Sequence, residues 1–178
     1  MKNFLLLMTI IASNLFVQSQ IKDNTKIGLK VGYNNSIING VESGGDKTGY
    51  VGNELYFGAF VSRIINEKVN LQLELIYSYT EDYNFLELPL NVKYQLYNKW
   101  NLFIGPKIDF IVDEKESEYY KFNKLGISGD LGLQYSFTTQ FFIETRYSKS
   151  FSEQITDFQL DINRGKRNTF RIGIGYRF

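Results

Sequence analysis

The sequence predicts an all-β fold: an eight-stranded antiparallel transmembrane β-barrel of up-and-down meander type. Three observations predict it. Apolar and polar residues alternate along eight segments of roughly ten residues, the length of a membrane-spanning strand. The links between the segments are long and short by turns, as in barrels with short periplasmic turns and longer external loops. Aromatic residues are abundant, with thirteen Tyr and fifteen Phe, and they gather near segment ends, where lipid headgroups select them.

The first segment stands apart from this pattern. "MKNFLLLMTIIASNLFVQSQ" has a cation at Lys2, an apolar stretch from Phe4 to about Ala12, and small residues after it. Val17 and Ser19 suit positions −3 and −1 of a cleavage site. Residues 1–19 are therefore expected to be a signal peptide cut before Gln20, with the barrel over 20–178. The apolar run is short for a membrane span, which makes an uncleaved anchor the lesser reading. No Cys follows, so this is not a lipoprotein signal.

The strands follow in order. "KIGLKVGYN" puts Ile27, Leu29, Val31 and Tyr33 on one face. "NELYFGAFVS" puts Leu55, Phe57, Ala59 and Val61 opposite Glu54, Tyr56, Gly58 and Phe60. "VNLQLELIYSY" sets Leu71, Leu73, Leu75 and Tyr77 against Gln72, Glu74 and Ile76. "LELPLNVKYQLY" sets Leu88, Leu90 and Val92 against Glu87, Pro89 and Lys93. "WNLFIGPKIDF" sets Leu102, Ile104 and Ile108 against Phe103, Lys107 and Asp109. "LGISGDLGLQYSF" sets Leu131, Leu133 and Tyr135 against Asp130 and Gln134. "FFIETRYSK" sets Ile143 and Tyr147 against Phe142, Glu144 and Arg146. "RNTFRIGIGYRF" sets Phe170, Ile172, Ile174, Tyr176 and Phe178 against Arg171 and Arg177. The expected links are 36–52, 64–68, 80–85, 97–99, 111–124, 138–140 and 149–166. An even strand count with this order puts both ends of the barrel on the periplasmic side.

The apolar face is nearly uninterrupted. Trp100, Phe137, Phe141, Tyr176 and Phe178 form a girdle at the short-turn end, and Tyr33, Tyr77, Tyr79, Phe110 and Tyr147 one at the long-loop end. That face is expected to meet lipid. A soluble lipocalin-like barrel would turn it inward, and explains neither the girdles nor the sorted links. The other face is then the lumen. It carries Lys30, Lys93, Lys107, Arg146, Arg171 and Arg177 against Glu54, Glu74, Glu87, Asp109, Asp130 and Glu144. These are expected to pair, because an unpaired charge in a narrow interior is expensive. Pro89 and Pro106 fall at one height of neighbouring strands. A β-bulge or local widening is expected there, since proline gives no hydrogen bond to the ladder.

Composition excludes several functions. With no Cys and no His there is no disulfide, and neither residue is available as metal ligand or catalytic base. The net charge is +1 with no basic block, so nucleic acid is not a partner. No metal site, cofactor or catalytic residue is expected. Glu144 and Arg146 share a face, but such pairing inside a packed lumen is ordinary. The acidic then aromatic stretch "DEKESEYYKF" is expected to be a solvated external loop. The inward glycines are expected to relieve crowding around Phe60, Phe103 and Phe142.

"GLKVGYNNS", "LELPLNVKY", "FIGPKIDFIV" and "DLGLQYSFTTQFFIETRYSKSF" together resemble the outer-membrane β-barrel domain family of Bacteroidetes, which includes PorT-like proteins. The resemblance covers nearly the whole mature chain. It implies a location in the outer membrane and contact with its lipid; envelope or secretion-complex proteins are candidate partners, and the secretion role of PorT is not carried over to this chain. Tyr176 and Phe178 resemble the aromatic signal on the closing strand that the barrel-assembly machinery reads. The expected function is a non-enzymatic integral barrel with a structural, adhesive or accessory role. The alternatives are a small pore and an outer-membrane enzyme acting on lipid or peptide.

Overall fold

Strict alternation yields strands with one buried and one exposed face, and here the polar face is the buried one. The computed structural model describes residues 24–79, 83–114, 120–122, 124–157 and 161–178. The expected signal peptide and part of the acidic loop, 115–119, lie outside them. The strands are β1 (Thr25–Val41), β2 (Lys47–Ile64), β3 (Val69–Tyr79), β4 (Tyr83–Tyr97), β5 (Trp100–Glu114), β6 (Tyr120–Phe122), β7 (Leu125–Ser136), β8 (Phe141–Ser150), β9 (Ile155–Asp157) and β10 (Ile162–Arg177). β6 and β9 are short. The eight long strands pair antiparallel in chain order, and β10 returns to β1, from Gly28↔Arg177 to Asn39↔Lys166. The sheet is thereby a closed eight-stranded antiparallel barrel. Closure leaves no strand edge facing hydrocarbon, where an unpaired backbone group costs several kcal/mol.

Leu29, Val31, Leu55, Phe57, Ile104 and Ile174 stand exposed on the outer wall, while Lys30, Glu74, Arg146 and Arg171 are buried inside it. The lipocalin-like arrangement requires the reverse. At the short-turn end the rings of Trp100, Tyr135 and Phe137 touch in sequence, as do Phe141, Tyr176 and Phe178. At the other end Tyr33, Tyr79 and Tyr147 are exposed, and Phe57 meets Tyr77 at 5.3 Å.

Three expected links are largely structured. Residues 36–52 hold only a short turn, Glu42–Asp46, closed by the Glu42 N–H to the Asp46 carbonyl at 2.8 Å, with Gly45 at φ 93. The rest of that stretch is β1 paired to β2, through Gly40↔Thr48 and Ser36↔Gly52. Glycines there weaken strand propensity, but backbone hydrogen bonds need no side chain. The inward phase carries on through Ser36 and Ile38. Residues 149–166 contain β9 and the start of β10, and 111–124 contain the end of β5 and all of β6. β6, β9 and the start of β10 form a small second sheet. It brings Ile155 onto Ile38, Phe85 and Ile111, a buried apolar cluster at the long-loop end.

The prolines behave differently from expectation. No register shift occurs at either one. Pro89↔Lys107 and Val92↔Ile104 belong to one register and flank an unpaired stretch at 90–91 and 105–106. Pro106 has no N–H to give, so the ladder lapses there. The strands do not part: a Cβ at Gly105 would collide with the Leu90 carbonyl oxygen. The irregularities between β4 and β5 lie instead at Asn84/Phe85 and Gln95/Tyr97.

Candidate functional site: the charged lumen

Inward positions of β1, β3, β7 and β8 converge on Arg146. Its guanidinium meets Glu74 at 2.8 Å, Asp130 at 2.9 Å and Glu144 at 3.3 Å. Lys30 bridges the same Glu74 and Glu144. Gln72 donates to Glu74 at 2.6 Å. All five charged side chains of this cluster are fully buried, so each depends on the others for the solvation that water would otherwise supply.

A second cluster centres on Glu87. Arg171 binds both of its carboxylate oxygens at 2.9 Å, Lys107 reaches it at 3.0 Å, and the Ser78 hydroxyl donates at 2.7 Å. Lys107 also meets Asp109 at 3.1 Å, and the Ser128 hydroxyl donates to Asp109. Glu54 is held by Arg167, by Asn34 at 3.0 Å and by Ser36. Arg167 spans Glu54 and Glu87. Each guanidinium also lies over a ring: Arg146 on Phe103, Arg167 on Phe85 and Arg171 on Tyr56.

Ten of the twelve charged residues expected in the lumen stand in these two clusters. Lys93 and Arg177 do not. The Lys93 ammonium donates to Gln134 and sits 5.3–5.9 Å from the centres of Phe60, Phe103 and Phe142. Arg177 is half-buried at the short-turn mouth, where it binds Ser136 and the Thr139 carbonyl and covers Phe142. Arg167 takes a place that sequence reading left empty: it opens the closing segment, and the faces of that segment were assigned only from Thr169 onward. Extending the phase of Arg171 and Thr169 backward would have found it. Gln72 was placed on the inward face without a role in the network, and Asn34, Ser36 and Ser78 were not singled out, having no charge to draw attention. Tyr176 and Phe178 point outward, with Phe178 68% exposed.

The three phenylalanines around Lys93 form a collar, and each lies over a glycine directly across the ladder. The pairs are Gly28↔Phe60, Phe103↔Gly132 and Gly175↔Phe142. A Cβ at any of these glycines would enter the facing ring. Glycine here provides the floor on which the ring rests, a known device of curved sheets. Below the collar a cavity of ≈ 500 Å³ opens at the short-turn end.

A closed eight-stranded wall, apolar outside and charged inside, is the architecture of a small outer-membrane barrel. The chain belongs to the outer membrane protein beta-barrel domain family, whose model matches residues 7–178, and the protein is thereby an outer-membrane protein. Among solved structures it is similar to Ail, the attachment invasion locus protein of Yersinia pestis, at 17% identity and a TM-score of 0.51, covering 87% of this chain and 99% of that one. Neisserial surface protein A matches at 8% identity and a TM-score of 0.53, covering 86% and 97%. The N-terminal β-barrel domain of Pseudomonas aeruginosa OprF matches at 13% identity and a TM-score of 0.50, covering 85% and 97%. At these identities the likeness is one of fold. No curated protein matches the chain in sequence.

Proposed function

We propose that this is a sealed, non-enzymatic barrel that acts through its outer surfaces, as a structural, adhesive or envelope-complex accessory protein. One observation carries the reading: paired side chains fill the lumen, and the Ile38, Phe85, Ile111 and Ile155 cluster lies beyond them. Eight strands enclose a space that side chains can fill, which disfavours a pore. An enzyme is disfavoured too, because Glu144 and Arg146 are fully buried and engaged with Lys30, Glu74 and Asp130. The β1–β2 hairpin extends well past the Tyr33 girdle and, beside the small sheet, offers an ordered external surface to a partner. Folded protein, identified by heat-modifiable mobility in gels, is expected to give no stable conductance in planar bilayers. Steady open steps would promote the pore reading in its place.

The reading extends to the periplasmic side. A membership among PorT-like barrels of Bacteroidetes is supported by "LELPLNVKY" and "FIGPKIDFIV", and it would make a secretion complex the partner to seek. Tyr176 and Phe178, on the strand that closes the barrel, serve as the mark for the barrel-assembly machinery, after export by a cleaved signal peptide. Phe178 is mostly exposed and touches Tyr176, so removing its ring loses little burial. Phe178→Ala is therefore expected to lower the outer-membrane yield while protein refolded in detergent keeps its stability within about 1 kcal/mol. Equal yields in cells would refute the assembly role.

A further inference from the structure

We propose that the short-turn mouth of the barrel is a blind binding site for a phosphate-bearing anion. The cavity there, ≈ 500 Å³, has the size of a small-molecule site. It runs inward from the turns around Lys99 and Thr138 to Lys93 and Gln134. Four cations line it: Lys26, Lys93, Lys99 and Arg177. Every other polar side chain of the lining is an amide or a hydroxyl, and none is a carboxylate. Among the described residues none of the four cations makes an ion pair.

The charge balance sharpens this. The six buried carboxylates of the lumen are matched by six buried cations, Lys93 among them. Lys26, Lys99 and Arg177 stand above that balance. Glu67, in the neighbouring turn, does not line the cavity. Lys93 is the second, independent sign. It is 4% exposed, and Gln134 is the one acceptor the described residues give its three donors. The rings of Phe60, Phe103 and Phe142 surround its ammonium, and the N–H donors that Gln134 does not take are open to an anion's oxygens. Arg177 spends Nη1 and Nη2 on Ser136 and Thr139 and keeps further donors. Cations converging from several strands suit a phosphate, whose oxygens serve several donors at once, better than a single carboxylate. Either an anionic lipid headgroup from the adjoining leaflet or a soluble phosphate compound presents that chemistry. That the site is blind rests on the sealed-lumen reading, which conductance tests separately.

The test is calorimetric titration of the full folded chain with inorganic pyrophosphate, in an uncharged detergent without phosphate, at about physiological ionic strength. Saturable binding of one pyrophosphate per barrel is expected. Lys99→Gln and Arg177→Gln should each weaken it about tenfold, while Lys47→Gln at the opposite mouth should not. Lys99 lies in an exposed turn, so that variant folds whatever the role of the site, and gel mobility verifies the fold of each. Phosphatidylglycerol added to the micelles should compete if the headgroup is the natural occupant, and leave binding intact if a soluble compound is. Absence of saturable binding would overturn the proposal. So would binding indifferent to both mouth variants, or binding weakened as much by Lys47→Gln, which would mark diffuse attraction.

Discussion

Arg146→Ala is expected to destabilise the folded barrel by about 3–5 kcal/mol, the cost of leaving buried charges without their partner. Three fully buried carboxylates, Glu74, Asp130 and Glu144, converge on this one guanidinium. Lys30 still covers Glu74 and Glu144 in the variant, but the described ion pairs leave Asp130 with none. Stacking on Phe103 is lost as well. Arg171→Ala should fall in the same range, since Glu87 keeps Lys107 and the longer contact to Arg167 but loses its two-oxygen contact. Ile172→Val, on the outer wall, should cost about 1 kcal/mol or less. Equilibrium urea unfolding of protein folded into lipid vesicles measures all three. If Arg146→Ala proves as mild as Ile172→Val, water solvates the carboxylates, and the lumen is an open aqueous path.

The face of each residue was legible in the sequence, but its partner was not. Period-2 alternation states which side of the wall a side chain occupies, and it sorted Lys30, Glu74, Glu87 and Arg146 without ambiguity. Partners depend on the tilt and stagger of the strands, which only closure sets. Arg171 illustrates the gap. Its direct neighbours on the ladder are Arg146 on one side and Asn34 on the other. A pairwise reading would find repulsion there, yet its carboxylate, Glu87, comes from β4, outside every ladder of β10. Loop lengths were misjudged for a related reason. Gly40, Gly49 and Gly52 fall in the stretch 36–52 that reads as a link, although a hairpin already in register can extend through glycine. Arg167 was lost because the faces of the closing segment were assigned only from Thr169 onward, and Arg177 was placed in the network because its phase is right. Phase does not report that it lies at the mouth, beyond the last carboxylate.

Gly175→Ala is expected to destabilise the barrel by about 1–3 kcal/mol, an overpacking cost from a single methyl group. The three nearest atoms to a Cβ at that position all belong to the Phe142 ring. The ring is pinned in turn by Phe60, whose ring meets it edge-on at 5.7 Å, and by Arg177 across its face. It cannot swing aside without disturbing the collar around Lys93. The obstacle is nevertheless one side chain, which makes a sharp test possible. In a Phe142→Ala background the same Gly175→Ala change should cost little, so the two substitutions should couple by about 1–3 kcal/mol in a double-mutant cycle. Gly105→Ala is the contrasting case. Its Cβ would strike the Leu90 carbonyl and the Asn91 Cα, both backbone, so no side-chain truncation should rescue it. Additive effects of Gly175→Ala and Phe142→Ala would show that the glycine is there for backbone geometry, and that the collar does not depend on the ring resting against it.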